Sequence, residues 1–487
     1  MDDEIASSQQ TLLAMTITGE YMAENFDVVV IGAGPGGYVA AIRAAQLKQK
    51  VAIVDKQWLG GVCLNVGCIP SKSLLKNAEV AHTLRERGKD FGFSFENLKL
   101  DYGVAVKRSR QNSDRLTKGV GFLMKKNGIT VFMGEAKFKA KDALAVTDKD
   151  GKVTELKAKN IIVATGASAA VPGAWKVDGE KVVTYWEAIL QDKLPKSVVV
   201  IGSGAIGVEF STVWNSYGVD VTVVEMLPRL VPLEDEEISK ELEKEFKKRG
   251  IKSLTGHKVE SVEATKTGVQ VKVSAEGKET ALEADQALVA IGFRPNSKGL
   301  GLEGIGVRIS ERGFVEVNES MQTNVPGIWA IGDVTGKLML AHVGSAMGII
   351  AAENIAGVET TTLDYEMMPR ATYCHPQIAS FGLTEAQAKE RGYNVKIGRF
   401  PFQANGKALG LGDYAGFAKI IVDEKYGEIL GAHMIGPEVT ELLPELTLAH
   451  LMELTPHEIA RNVHAHPTLS EVLMEAAHGA EGSPIHI

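Results

Sequence analysis

One arrangement occurs twice in this chain: a strand, a glycine-rich turn, a helix, a second strand and a terminal acid. The first copy starts at Asp27, and Val28 to Ile31 make an unbroken apolar run. Such a run suits a strand of a parallel sheet covered on both faces. Gly32-Ala33-Gly34-Pro35-Gly36-Gly37 follows, then an alanine-rich helix from about Tyr38 to Leu47, then a strand ending at Asp55. The second copy runs from Ser197 to Ile201, through Gly202-Ser203-Gly204-Ala205-Ile206-Gly207 and a helix to Trp214. Its second strand, Val221 to Val224, ends at Glu225. In both copies the acid stands 23 positions after the first glycine. Gly32 and Gly202 permit the turn, and Gly34 and Gly204 leave room for a diphosphate. Gly37 and Gly207 let helix pack against strand. The helix N-terminus offers amides and partial positive charge to phosphates, and the acids are placed for ribose hydroxyls. Two tight turns in an ordinary α/β protein would leave the matched acids unexplained. The pattern predicts an α/β chain with two Rossmann-like dinucleotide-binding domains. Glu225 suits the free 2′-hydroxyl of NAD and repels the 2′-phosphate of NADP. Arg229, four residues on, does not overturn that preference.

At 487 residues the chain needs more than one core. A net charge of -8 gives no electrostatic case for nucleic acid. No apolar run approaches the length of a membrane span. Residues 1–25 open with Asp2, Asp3 and Glu4, which fits neither a secretory signal nor a mitochondrial presequence. They read as a loosely held extension, and the cytoplasm is the default location. No metal site is expected.

Elsewhere the pattern changes. Residues 71–126 carry helical periodicity, and 129–160 alternate as short strands. Ile161-Ile162-Val163 is a buried strand ending at Ala164-Thr165-Gly166. The charged helix 234–250 reads as a solvated face, and 257–291 read as strands of the second unit. Ile328 to Ile331 lead into Gly332-Asp333. After 370, apolar runs at 418–422 and 429–435 form a hairpin, and helices follow at 439–454 and 469–478. This last part is expected to be a separate α+β domain.

Three cysteines in a chain this long cannot make a disulfide scaffold. Two of them, Cys63 and Cys68, stand five apart in CLNVGCIPSK, shortly after the first fingerprint. That placement points to a redox-active pair. A helix starting near Cys68 would lower its pKa, favouring the reactive thiolate. Thiol–disulfide exchange at such a pair needs a base to take the attacking thiol's proton. His466 is the candidate, with Glu471 to orient it after the chain reversal at Pro467. His464 is the neighbouring alternative, and both histidines could instead be packing residues. Cys374 has no partner of its own and reads as a small buried residue.

With CLNVGCIPSK at 63–72, the two fingerprints, ATG at 164–166, GFRPN at 292–296, GD at 332–333 and HAHPTLSE at 464–471, the chain resembles the disulfide-dependent flavoprotein oxidoreductases. Within them it is most similar to the lipoyl-reoxidising branch, over roughly residues 26–480. The resemblance implies oxidation of a protein-bound dihydrolipoyl group with reduction of NAD+. It implies FAD on the first unit, held by Gly32, Gly34, Gly37, Asp55, Lys72, Thr165, Gly166, Asp333 and Ala341. It implies NAD on the second, held by Gly202, Gly204, Gly207, Glu225 and Gly292. The implied divisions are 26–165 for FAD, 166–291 for NAD, 292–366 completing the FAD site, and a dimerisation domain over 367–487.

Further roles come from the same likeness. Cys63 would exchange with substrate and Cys68 would face the flavin. Lys72 would lie near the flavin N5 and pair with Glu209 beside the nicotinamide. In such a homodimer His466 would act on the partner subunit's disulfide. The implied partners are the lipoyl domains of 2-oxoacid dehydrogenase complexes, with the glycine cleavage system left open as a second client. Three positions depart from the usual pattern: Phe293 in place of an arginine, Asp55 in place of Glu, and Tyr373-Cys374-His375-Pro376 in place of Tyr-Thr-x-Pro. Glutathione-type reductases would need a basic NADP site where Glu225 stands. Mercury-reducing and large thioredoxin-reducing relatives would need cysteines in the tail Glu481–Ile487, which has none. An inactive flavoprotein scaffold would show loss of a functional residue, and all the expected positions are present.

Overall fold

The computed structural model describes residues 24–487. The expected N-terminal extension falls outside the described residues up to position 23. Glu24 and Asn25 already belong to the first strand, Glu24–Ile31. The chain divides into two compact units, each built from three separated segments.

The first unit comprises residues up to Gly61, Gly119–Gly166 and Pro295–Leu363. Its seven-stranded sheet has Glu24–Ile31 at the centre, between Val51–Asp55 and Val153–Val163, both parallel to it. Val28, Val29 and Val30 are fully buried, as expected for a parallel strand covered on both faces. Val153–Val163 has two kinds of neighbour. Its first half pairs antiparallel with Ala143–Thr147, and its last three residues pair parallel with Ile328–Ala330. That second pairing brings Gly332 and Asp333 to the carboxyl end of the sheet. The helices Pro35–Gln46 and Ala341–Ala356 meet through small residues. A Cβ on Gly36 would reach the Gly344 carbonyl at 2.8 Å, and one on Gly348 would reach the Gly36 carbonyl at 2.5 Å. Arg43 and Glu353 close this contact with a 2.6 Å ion pair.

The second unit comprises Val62–Lys118, Ala167–Arg294 and Asp364–Ile487. Its parallel sheet runs in the order Lys252–Leu254, Asp220–Val224, Ser197–Ile201, Gln286–Val289, Val182–Val183. The order reverses direction beside Ser197–Ile201, the crevice where open parallel sheets bind ligands. The redox helix Cys68–Glu86 packs against the second fingerprint helix, Ala205–Ser216. The C-terminal part is a five-stranded antiparallel sheet covered by the helices Val439–Leu451 and Glu471–Ala480. Helix Glu471–Ala480 lies so close to the strand Val395–Pro401 that any side chain at Gly398 would strike the Ala476 carbonyl. A short helix, Pro456–Arg461, separates the two expected helices, and Thr455 and Glu458 start it with a capping box.

The charged segment 234–250 is only partly the solvated face expected. Ile238, Leu242 and Phe246 bury one side of its helix, Glu236–Lys248, and Glu234 and Asp235 are buried as well. For Asp235 the environment explains why. Lys419, 1% exposed, places its ammonium 3.1 Å from Asp235, 2.8 Å from Glu237 and 2.7 Å from Glu385. Burial opposes the lysine charge, but the three carboxylates outweigh it and raise its pKa. Asp235 titrates below its ordinary value: burial pushes it up, while His433, Lys419 and the Glu385 amide pull it further down. Removing the cation would strand a buried carboxylate. Lys419→Met should therefore cost about 3–5 kcal/mol, read as a lower unfolding midpoint at neutral pH. A depressed carboxyl contributes its stability above the ordinary carboxylate range and loses it as pH falls. The difference between Lys419→Met and the parent should shrink in acid. A midpoint unchanged at pH 7 would show that the cluster adds nothing.

Candidate active site and cofactor-binding turns

Cys63 lies in a short helix, Gly61–Val66, and Cys68 is the first residue of the long helix Cys68–Glu86. Gly67 between them lets the chain fold tightly, since a Cβ there would meet the Val62 carbonyl at 2.9 Å and Cys63 Cα at 3.2 Å. Both thiols are free and half-buried. The Cys63 thiol donates a hydrogen bond to the Cys68 sulfur, which holds Cys68 down to about 7, against burial and with help from the Lys72 charge. The same bond, with burial, pushes Cys63 well above the thiol range. Of the two, Cys68 is the one whose pKa is lowered, in line with its place at the start of a helix. The loop is pinned from the helix Tyr102–Lys126. Arg110 donates to the Asn65 carbonyl, and the Thr117 hydroxyl lies 3.3 Å from Asn65 Oδ1. Arg108 and Asn112 both reach the Ser73 hydroxyl, at 3.0 Å. Sequence reading missed all four of these residues, because their spacing from the cysteines carries no local pattern.

One helical turn beyond Cys68, Lys72 Nζ lies 3.0 and 2.9 Å from the two oxygens of Glu209. Glu209 is buried in the helix Ala205–Ser216. Burial works against the Lys72 charge, but Glu209, Cys68 and Tyr373 outweigh it and raise its pKa. The segment after Thr372 runs beside the same helix. The Tyr373 amide donates to Glu209 Oε1 at 2.9 Å, and the His375 amide lies 3.3 Å from Thr212 Oγ1. Cys374 is buried, and burial pushes its thiol up.

His466 and Glu471 stand together elsewhere in the same unit. Glu471 is the first residue of its helix and accepts the Thr468 amide at 2.8 Å and His466 Nδ1 at 2.9 Å. Burial pushes the Glu471 carboxyl up, but these bonds and the nearby histidines hold it below its ordinary value. The His466 ring is 78% exposed. His464 differs: its side chain is 4% exposed, and it is tied to Glu445 at 3.0 Å and to the Asn462 carbonyl at 2.8 Å. Among the described residues no hydrogen bond joins His466 to either redox thiol.

The two fingerprints share one local geometry. Gly32 and Gly202 have φ of +105° and +100°, and a side chain on either would strike the carbonyl of Ala164 or Ala290. A Cβ on Gly37 or Gly207 would collide with the carbonyl of Gly32 or Gly202. At Gly34 and Gly204 the corresponding space is open, with nothing within 4 Å. Asp55 Oδ2 accepts the Ala33 amide at 2.7 Å, and Glu225 Oε2 accepts the Ser203 amide at 2.9 Å. Arg229 donates to the carbonyls of Pro232 and Glu234, close to its own turn. In the first unit, Thr165 Oγ1 donates to the Asn296 carbonyl at 2.8 Å and Asn296 Nδ2 returns a bond to the Thr165 carbonyl at 3.0 Å. Burial alone pushes the Asp333 carboxyl up to about 6, and Ala341 opens the helix that packs on the first fingerprint helix. In the second unit Gly292, at φ +116°, has open space where a side chain would lie. Open cradles before helix N-termini, with acids behind them, fit two dinucleotides.

Residues 26–348 match the pyridine nucleotide-disulphide oxidoreductases, and residues 368–477 match the dimerisation domain of that family. The chain belongs to the pyridine nucleotide-disulphide oxidoreductase family. That membership brings FAD and NAD(H) as cofactors and, through the dimerisation domain, a homodimer. The chain is 55% identical to the dihydrolipoyl dehydrogenase of Mycobacterium leprae, over 95% of this chain and 99% of that protein. It is 52% identical to the dihydrolipoyl dehydrogenase of Corynebacterium glutamicum, over 96% of this chain and 100% of that protein. Among solved structures it is similar to LpdA from Mycobacterium tuberculosis. The TM-score is 0.87 at 28% identity, covering 94% of this chain and 99% of that one. Among the described residues no helix is long and apolar enough to cross a membrane.

Proposed function

We propose that this chain oxidises the dithiol of a protein-bound dihydrolipoyl group to its disulfide and reduces NAD+ to NADH. The observation that carries the reading is the hydrogen-bonded pair Cys63 and Cys68, with the thiolate assigned to Cys68 beside Lys72. In the oxidised enzyme these two sulfurs form a disulfide. His466 takes the proton from a substrate thiol. Glu471 binds Nδ1 and so leaves Nε2 as the base. The substrate thiolate attacks Cys63, and the Cys63–Cys68 bond breaks with Cys68 leaving as a thiolate. The second substrate thiol then displaces Cys63 and closes the lipoyl ring, which leaves the enzyme pair as a dithiol. FAD, when bound, would supply the two-electron chemistry that links that pair to NAD+. Lys72 keeps positive charge beside Cys68, and Glu209 holds Lys72 in place.

In this reading residues 26–165 and 292–366 serve FAD, through Gly32, Gly34, Gly37, Asp55, Thr165, Gly166, Asp333 and Ala341. Residues 166–291, followed by Gly292, serve NAD through Gly202, Gly204, Gly207 and Glu225. Residues 367–487 form the dimer and present His466 to the partner subunit's disulfide. The partners are lipoyl domains of 2-oxoacid dehydrogenase complexes, and the setting is the cytoplasm.

The test is steady-state oxidation of dihydrolipoamide by the purified holoenzyme with NAD+ and with NADP+. NAD+ should be strongly preferred. Glu225→Ala should weaken the preference by about 1–3 kcal/mol, roughly 5- to 150-fold in the ratio of kcat/KM values. No turnover of dihydrolipoamide would refute the substrate, and equal efficiency with both nucleotides in the parent would refute the role of Glu225.

A further inference from the structure

Lys72 makes a third contact besides Glu209 and the redox helix. Its Nζ sits over the ring of Tyr373, 4.6 Å from the centroid. The two halves of Tyr373 thus act on the two partners of one ion pair. Its amide holds Glu209 Oε1 at 2.9 Å, and its ring faces the ammonium that Glu209 binds. We infer that Tyr373 is a positioning residue for Cys68, acting through Lys72: the ring caps the ammonium and keeps its charge beside the cysteine sulfur. The inference rests on the assignment of Cys68 as the thiolate that faces the flavin, and it adds a residue to that site.

The physical reason is the ring's negative face, which attracts a cation most when water is partly excluded. Without it Lys72 still has Glu209, but one side of its ammonium opens toward solvent and the long side chain gains freedom. The charged groups in play are few. Cys63, Lys72 and Glu209 act on Cys68, while Glu441, from the helix Val439–Leu451, also acts on Tyr373. Lys72 stabilises the Cys68 thiolate and Glu209 opposes it. Loosening Lys72 therefore moves Cys68 toward the protonated form. The amide half of the clamp belongs to the backbone and survives a change of side chain. Substitution at position 373 isolates the ring.

The test uses the holoenzyme carrying Cys63→Ser, so that Cys68 is the one thiol left of the pair. The rate of Cys68 alkylation by iodoacetamide, read by mass spectrometry of its peptide, is followed against pH. The long-wavelength absorbance of the same protein is titrated in parallel. Tyr373→Phe keeps the ring face and should leave the alkylation midpoint where it was. Tyr373→Leu should raise it by about half a unit to one unit, slowing alkylation below the midpoint roughly 3- to 10-fold. Pentafluorophenylalanine in place of Tyr373 keeps the size of the ring and reverses its polarity, so it should behave like leucine even if the leucine protein folds poorly. Equal midpoints for the phenylalanine and pentafluorophenylalanine proteins would overturn the inference. A shifted alkylation profile with no long-wavelength band in any variant would uphold it and remove instead the placement of Cys68 against the flavin.

Discussion

Cys63→Ser and Cys68→Ser should each lower dihydrolipoamide turnover by about four orders of magnitude or more, the scale on which loss of an essential nucleophile is felt. The two proteins should differ in colour. In Cys63→Ser the remaining thiol is the one whose pKa is held down to about 7, and the serine hydroxyl can still donate to its sulfur. Thiolate beside oxidised flavin should give a long-wavelength absorbance band. The sign follows from the direction of the shift. The thiolate is present above about pH 7, so the band should fade as pH falls through that value. Cys68→Ser removes the sulfur placed at the helix start to face the flavin, and the band should be absent at neutral pH. A band in Cys68→Ser and none in Cys63→Ser would exchange the two roles, and His466 would then have to serve Cys68.

The second large effect concerns the dimer. His466→Ala alone should cost about 10²- to 10⁴-fold in turnover, the usual worth of a general base. His466 is 78% exposed, and no hydrogen bond joins it to the redox thiols of its own chain among the described residues. With the base supplied across the two-fold axis, a heterodimer of Cys63→Ser and His466→Ala subunits has one site with both losses and one site with neither. Random mixing yields half heterodimers, so two nearly dead proteins should together recover about a quarter of the parent activity. Heterodimers shown to form, yet no more active than the His466→Ala parent, would place base and disulfide within one chain.

The parts legible in sequence are those written in short, local patterns. The fingerprints announce themselves because a positive φ, an open cradle and a close helix–strand contact each demand glycine at a fixed offset. Asp55 and Glu225 follow at the same distance, and the structure gives both the same bond to the turn amide. Glu471 was readable because Pro467 forces a reversal and the next helix begins at once. The choice between His464 and His466 was not a matter of spacing. Burial and partners tell the two apart: the His464 side chain is buried and tied to Glu445, 19 residues away, while His466 is exposed beside Glu471. Tyr373 stood in a segment visible only as a departure from a pattern. Its contact with Glu209 spans 164 residues and runs partly through a backbone amide, which no residue type reveals. The charged run at 234–250 misled for a similar reason. Asp235 is buried because Lys419, far along the chain, meets it there.

The loop between the cysteines and the helix that follows it are fastened at points that the sulfur chemistry leaves untouched. Arg110 and Thr117 grip Asn65, and Arg108 and Asn112 grip Ser73, while neither sulfur takes part in those bonds. Cleaving the disulfide therefore does not release its two ends into a flexible loop. Each thiol continues to see the other at a high effective concentration, set by the scaffold and not by the covalent bond. Reclosure then competes well against small thiols diffusing in from solution. A free cellular thiol can open the pair only briefly, whereas a substrate that carries two thiols on one ring-forming arm meets the pair on equal terms.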